Sequence, residues 1–247
     1  MKLILLLLFL LAQTLAFAAV NTDSLSVHNE LKFKPAALII PSALIGYGVA
    51  GMENHLIKNF NFHIREEVNE HIDESFTVDD VSQYMPFISV YALNLAGVKG
   101  KNNFKDRTMI LVTAYLLMGT TVNVLKNTTH NMRPDETSTN SFPSGHTATA
   151  FMGAEFLYQE YKDVSPWYGI AGYAVAAGTG VFRMYNNRHW LTDVTTGAGI
   201  GILSTKIAYW VHPYIKRALF KDKSNISGMA IPYYNGKQLG LSMALSF

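Results

Sequence analysis

The chain has 247 residues, of which 49% are apolar and 15% charged, with a net charge of +2 and no cysteine. So small a net charge leaves no electrostatic footprint for nucleic acid. The lack of cysteine excludes thiolate catalysis, disulfides and cysteine-ligated metals. The charged fraction lies below the roughly 25% of an ordinary soluble domain and tilts the class toward the membrane.

From the N-terminus, Lys2 precedes an unbroken apolar run, Leu3 to Leu11, and Ala16-Phe17-Ala18 supplies a small-x-small pattern. This predicts an export signal over residues 1–18, outside the fold, with an uncleaved anchor helix as the alternative. Residues 20–34 are mostly polar and unpatterned. Six apolar stretches follow: Pro35–Met52, Met85–Val98, Thr108–Leu125, Thr147–Tyr158, Pro166–Phe182 and Val194–Val211. They are too long for strands and predict helices. Residues 53–82, between the first two, read as an amphipathic or surface helical segment with an acidic end. Glycine and alanine crowd GIAGYAVAAGTG and GAGIG, so helices there can approach closely. The tail from 225 to 247 resembles a hairpin turning at Asn235-Gly236. The fold class expected is all-α: a membrane-embedded bundle of about five to six apolar helices with a short β-hairpin tail.

Several stretches are shorter than the roughly 20 residues of a spanning helix, which leaves a soluble bundle open. The Lys/Arg-rich flanks at 99–107 and 212–223 favour membrane and place both flanks in the cytoplasm. The loops at 126–145 and 183–193 then face out. Six crossings after a cleaved leader would reverse that, and the two agree if Pro35–Met52 does not cross.

Three segments carry chemistry. In KNTTHNMRP, Lys126 and Arg133 are seven apart and would share a face at a helix end, with Pro134 turning the chain into a loop. Two fixed cations there suit a dianion such as phosphate, or simply flank a membrane helix. In SFPSGHTATAF, Ser144 is a good N-cap and Gly145 lets backbone N–H groups approach an anion. His146 would stand in the mouth of that site, placed for proton transfer; a capped helix with an incidental histidine is the plainer reading. In FRMYNNRHWLTD, His189 and Asp193 are four apart and share a helical face if the last helix begins there, so the carboxylate can fix the tautomer of a nucleophilic imidazole. Arg183 is a third candidate cation. A surface histidine beside a helix-capping aspartate would look the same. The first two segments share the loop between the third and fourth stretches, and the third lies between the fifth and sixth. With alternating crossings all three meet on one side.

In this order K-x6-R-P, P-S-G-H and R-x5-H-x3-D resemble the three signatures of the type 2 phosphatidic acid phosphatase and vanadium haloperoxidase superfamily. About ten fixed residues match, over a region of roughly 83–212. The resemblance implies an all-α phosphatase that needs no metal or cofactor. It implies Lys126, Arg133 and Arg183 as phosphate ligands, with donors from Ser144 and Gly145. It further implies His189 as nucleophile, Asp193 as its orienter and His146 as acid, then base. One position departs: the family usually has serine before the third arginine, and this chain has Phe182. The expected layout is a leader at 1–18, an N-terminal helical segment at 19–82, the phosphatase core at 83–212 and a tail at 213–247. The expected partners are a membrane and a lipid phosphate or other small phosphate, not nucleic acid; oligomeric state is left open. The expected location is the cell envelope, in a membrane with the site facing the periplasm, or else as a soluble periplasmic acid phosphatase. A vanadate-dependent haloperoxidase is the rival reaction on the same pocket.

Overall fold

The computed structural model describes residues 35–69 and 77–220 in full, and the backbone of 227–234 and 239–246. The leader, residues 20–34 and the Asn235-Gly236 turn lie outside the described residues. A 3-10 turn at Pro35–Leu38 leads into α1 (Ile39–Ala50) and, after a sharp break, α2 (His55–Asn69). Then come α3 (Val78–Ser82), α4 (Met85–Leu95), α5 (Phe104–Thr129), α6 (Gly145–Tyr161), α7 (Pro166–Tyr185) and α8 (Leu191–Leu219). Strands β1 (Ser227–Tyr234) and β2 (Leu239–Ser246) pair antiparallel in the tail, with Tyr234 opposite Leu239.

Local chemistry accounts for the helix ends. Asn103 caps α5 by accepting the Asp106 N–H at 2.9 Å, and the helix stops at His130, which adopts a left-handed φ of 47°. Ser144 caps α6 as its position predicts. Ser165 caps α7, and Pro166 occupies the first turn, where its missing N–H costs nothing.

α6 lies at the centre, packed against α7 and α8 and flanked by α4, while α8 also contacts α1 and α5. Ala148, Ala150, Met152, Ala154 and Phe156 have no exposed surface, so α6 is enclosed on all sides. Glycines make that enclosure possible. A Cβ on Gly197 would stand 2.4 Å from the carbonyl oxygen of Ser144, and one on Gly201 would stand 2.3 Å from that of Ala148. α8 therefore approaches α6 at backbone distance, as the small residues of GAGIG lead one to expect.

Every one of the six apolar stretches contains a helix. Among the described residues, however, only α5 is long and apolar enough by itself to cross a membrane. The pair from Pro35 to Asn69 adds a second candidate only if taken as one span, and it is bent by 95°. A bundle of five or six spans is thus not what the helices provide by length and composition. The reason lies partly in length, since α1 and α4 have 12 and 11 residues. It lies partly in charge buried where apolar side chains were expected. Glu160 of α6 accepts from Arg107 Nε at 3.1 Å and from Tyr209 at 2.7 Å, and Glu155 is held by Lys206 at 2.7 Å. Buried charges of this kind persist only when paired.

Candidate active site

The loop after α5, the start of α6 and the α7–α8 junction come together at one end of the bundle. Ser144 donates its backbone N–H to the carbonyl of Asp193 at 3.0 Å, which ties the second segment to the third. Trp190 Nε1 donates to the carbonyl of Met132 at 2.9 Å, and Arg188 pairs with Asp135 at 3.0 Å, which ties the third to the first.

Lys126 and Arg133 do not share a helical face, contrary to the spacing argument. α5 ends before Arg133, and the left-handed His130 turns the chain away. They meet instead at Asn140, which accepts from Lys126 Nζ through its carbonyl at 2.5 Å and from Arg133 Nε through its side chain at 3.0 Å. The charges of Arg133 and Arg183 both act on Lys126. Arg183 is 8% exposed, and its Nε is buried without a hydrogen-bond partner among the described residues. That is a donor held ready for an acceptor.

His189 is 3% exposed, and its Nδ1 lies 3.5 Å from Asp193 Oδ2. This is an ion-pair distance, too long for a good hydrogen bond. His189 Nδ1 and Asp193 Oδ1 both lack hydrogen-bond partners among the described residues. Asp193 Oδ2 is occupied otherwise: it accepts from Ser141 Oγ at 2.5 Å and from the Trp190 N–H at 2.9 Å. The same carboxylate therefore caps α8 and faces the histidine, which is buried and not at the surface as the plainer reading had it. His189 itself precedes the helix, which begins at Leu191. Burial pushes its pKa down to about 4, opposed by Asp193 and reinforced by Arg183 and Lys126. The ring is neutral at physiological pH, with a free nitrogen lone pair.

His146 lies in the first turn of α6 with its side chain 30% exposed, and its Nε2 is 2.9 Å from Asp80 Oδ1. The adjacent Asp79 is buried and takes Arg183 Nη1 at 2.5 Å and Asn186 Nδ2 at 3.0 Å. Asp79, Asp80 and His146 offer one ligand atom each within 4.8 Å, the geometry of a small cation site. Their atoms are already engaged with Arg183, Asn186 and one another, which satisfies the carboxylates without a metal.

The acidic end of the 53–82 segment was visible in the sequence, but nothing in its spacing connected Asp79 and Asp80 with residues 66 and 104 positions further on. Ser141 and Asn140 were missed for the same reason. Ser141 opens the second segment, yet only the fold shows that its hydroxyl reaches Asp193.

A helical bundle that gathers three cations, two histidines and a histidine-facing carboxylate at the ends of its helices is the class of protein that fold and site define. Residues 107–217 match the family model of the PAP2 superfamily, the family whose three signatures the motifs resemble. Over 228 residues it is 35% identical to a protein of Porphyromonas gingivalis named lipid A 1-phosphatase, covering 85% of this chain and 51% of that one. The chain thus spans about half the length of that relative. A shorter match, 31% over 74 residues, is to the bacitracin transport permease protein BcrC of Bacillus licheniformis, covering 30% of this chain and 34% of that one. Among solved structures, LpxE of Aquifex aeolicus aligns with a TM-score of 0.47 at 24% identity, over 60% of this chain and 94% of that one. A transmembrane PAP2-type phosphatidylglycerolphosphate phosphatase of Bacillus subtilis aligns with a TM-score of 0.46 at 19% identity, over 72% and 98%.

Proposed function

We propose that the protein is a metal-independent phosphatase that hydrolyses a phosphate ester or diphosphate of a lipid through a phosphohistidine on His189. The observation that carries this reading is the buried, neutral His189 facing Asp193 and under the charge of Arg183, whose Nε has no hydrogen-bond partner among the described residues. Lys126, Arg133 and Arg183 neutralise the phosphoryl oxygens, and the backbone at Ser144 and Gly145 adds donors from the start of α6. Phosphoryl transfer depends chiefly on such positioning and charge. With Nδ1 turned toward Asp193, Nε2 of His189 is the attacking atom. A P–N bond forms as the bond to the leaving oxygen breaks, and His146 protonates that oxygen. His146 then takes a proton from water, which attacks phosphorus and frees phosphate and His189.

The P. gingivalis relative makes a phosphorylated lipid A the first substrate to try, ahead of phosphatidate and polyprenyl diphosphates. The site belongs to a membrane protein of the cell envelope and faces the periplasm. Phosphate release from a panel of these lipids and of soluble phosphates tests the activity. His189→Ala should abolish turnover, and labelled substrate should leave acid-labile, base-stable phosphate on the wild type alone. Turnover by the variant near the wild-type rate would remove His189 from the chemistry. Activity persists in EDTA; loss that one divalent ion restores would assign Asp79, Asp80 and His146 to a metal instead.

A further inference from the structure

The short helix α3 packs against α7 and α6 and delivers two consecutive carboxylates to the site. Asp79 is 1% exposed and grips Arg183, whereas the Asp80 side chain is 58% exposed and touches the site through His146. The groups facing His146 are Arg183 from α7 and Asp80 and Asp79 from α3. Burial and Arg183 disfavour the protonated ring; Asp80 and Asp79 favour it, and the balance lies toward the neutral form. A general acid in that setting depends on whatever carboxylate holds it.

We propose that Asp80 is a positioning residue for proton transfer, holding His146 through Nε2 so that the proton delivered to the leaving oxygen comes from Nδ1. This rests on the phosphatase reading above. In the first step the P–O bond to the leaving group breaks as P–Nε2 of His189 forms. The Nδ1 proton of His146 moves to the leaving oxygen, and the now neutral ring keeps its Nε2–H on Asp80. In the second step Nδ1 takes a proton from the attacking water, which restores the starting state.

Such a role shows in how the rate responds to the leaving group. An alkoxide needs a proton as it departs; p-nitrophenolate does not. Asp80→Asn should lower kcat/KM for an alkyl phosphate about tenfold to a hundredfold, part of the 10²–10⁴ that general acid–base catalysis supplies. For p-nitrophenyl phosphate the loss should stay under about threefold. The alkaline limb of kcat/KM for the alkyl substrate should move to lower pH, because the variant holds the His146 proton less tightly. Asp80→Glu should recover part of the loss. Because Asp80 is largely exposed, the variant should fold, and its melting temperature checks that. Equal losses on the two substrates, or an unmoved alkaline limb, would overturn the assignment while leaving the phosphatase reading intact. A wild type that hydrolyses neither substrate nor any lipid phosphate would overturn both.

Discussion

His189 combines near-complete burial with a pKa held near 4, well below the usual 6.5. Its folded-state pKa lies below its unfolded one, so between these values the unfolded chain binds more protons and stability rises with pH. The stabilising share of His189 is full above about pH 6.5 and falls away toward pH 4, by about 3 kcal/mol at most. Without phosphate, the wild type should therefore lose more melting temperature between pH 7 and pH 5 than His189→Gln does. Parallel curves would show that the ring is not buried as a neutral base. The nucleophile should for the same reason stay unprotonated down to mildly acid pH.

Ser141 belongs to the same scale. Its hydroxyl and the Trp190 N–H both bond Asp193 Oδ2, and Oδ1 has no hydrogen-bond partner among the described residues. Ser141→Ala removes one of the two bonds that hold the carboxylate, a loss of about 1–3 kcal/mol for a buried bond to a charged group. The expected outcome is a drop in kcat of about threefold to tenfold with KM little changed. A change confined to KM would mean that Ser141 serves the substrate and not Asp193.

Elements bring these residues together, and α8 does most of it. Its N-terminus carries Asp193, and Gly197, one turn on, lies against the carbonyl of Ser144. Gly197→Val drives a side chain into backbone that cannot yield, so α8 must retreat from the start of α6. Overpacking of this kind costs about 1–3 kcal/mol, and the retreat separates Asp193 from the second segment. Both melting temperature and kcat should fall; an unchanged kcat would show that the α6–α8 contact does not set the site.

What the sequence could reveal follows from the range of its signals. The helix start at Ser144 was legible because capping is local. The three motifs were legible because each keeps its residues within a few turns. The face shared by Lys126 and Arg133 was misread, since the spacing rule presumes a helix that in fact ends at His130. Asp79, Asp80, Asn140 and Ser141 act across loops and between helices, where no period connects them. The buried pairs at Glu155 and Glu160 were also invisible, because a lone glutamate in an apolar run carries no mark of its partner.

At the scale of the whole molecule, the site and the basic flanks sit at opposite ends of α5, with Lys126 near one end and Arg107 near the other. At the basic end Lys216 pairs with Asp106 at 2.8 Å, and Lys105 stands over the Phe220 ring at 3.3 Å. Basic flanks are usually retained in the cytoplasm, and the orientation proposed above, with the site in the periplasm, rests on that rule. Ser138 lies in the loop between the first two segments, and the chain has no cysteine to interfere. Ser138→Cys should react in intact cells with an impermeant thiol reagent that has crossed the outer membrane. Labelling only after lysis would turn the molecule over and place catalysis in the cytoplasm.

The stretch of α5 between Arg107 and Lys126 spans nineteen residues, about 28 Å at 1.5 Å per residue. That is close to the roughly 30 Å of a bilayer's hydrocarbon, so as a membrane span this helix would be a ruler between the buried Arg107–Glu160 pair and Lys126. An acyl matrix much thicker than the ruler draws the catalytic rim below the headgroups; a much thinner one lifts it clear of them. Catalysis by the reconstituted protein should therefore peak in lipids of one chain length and fall on either side.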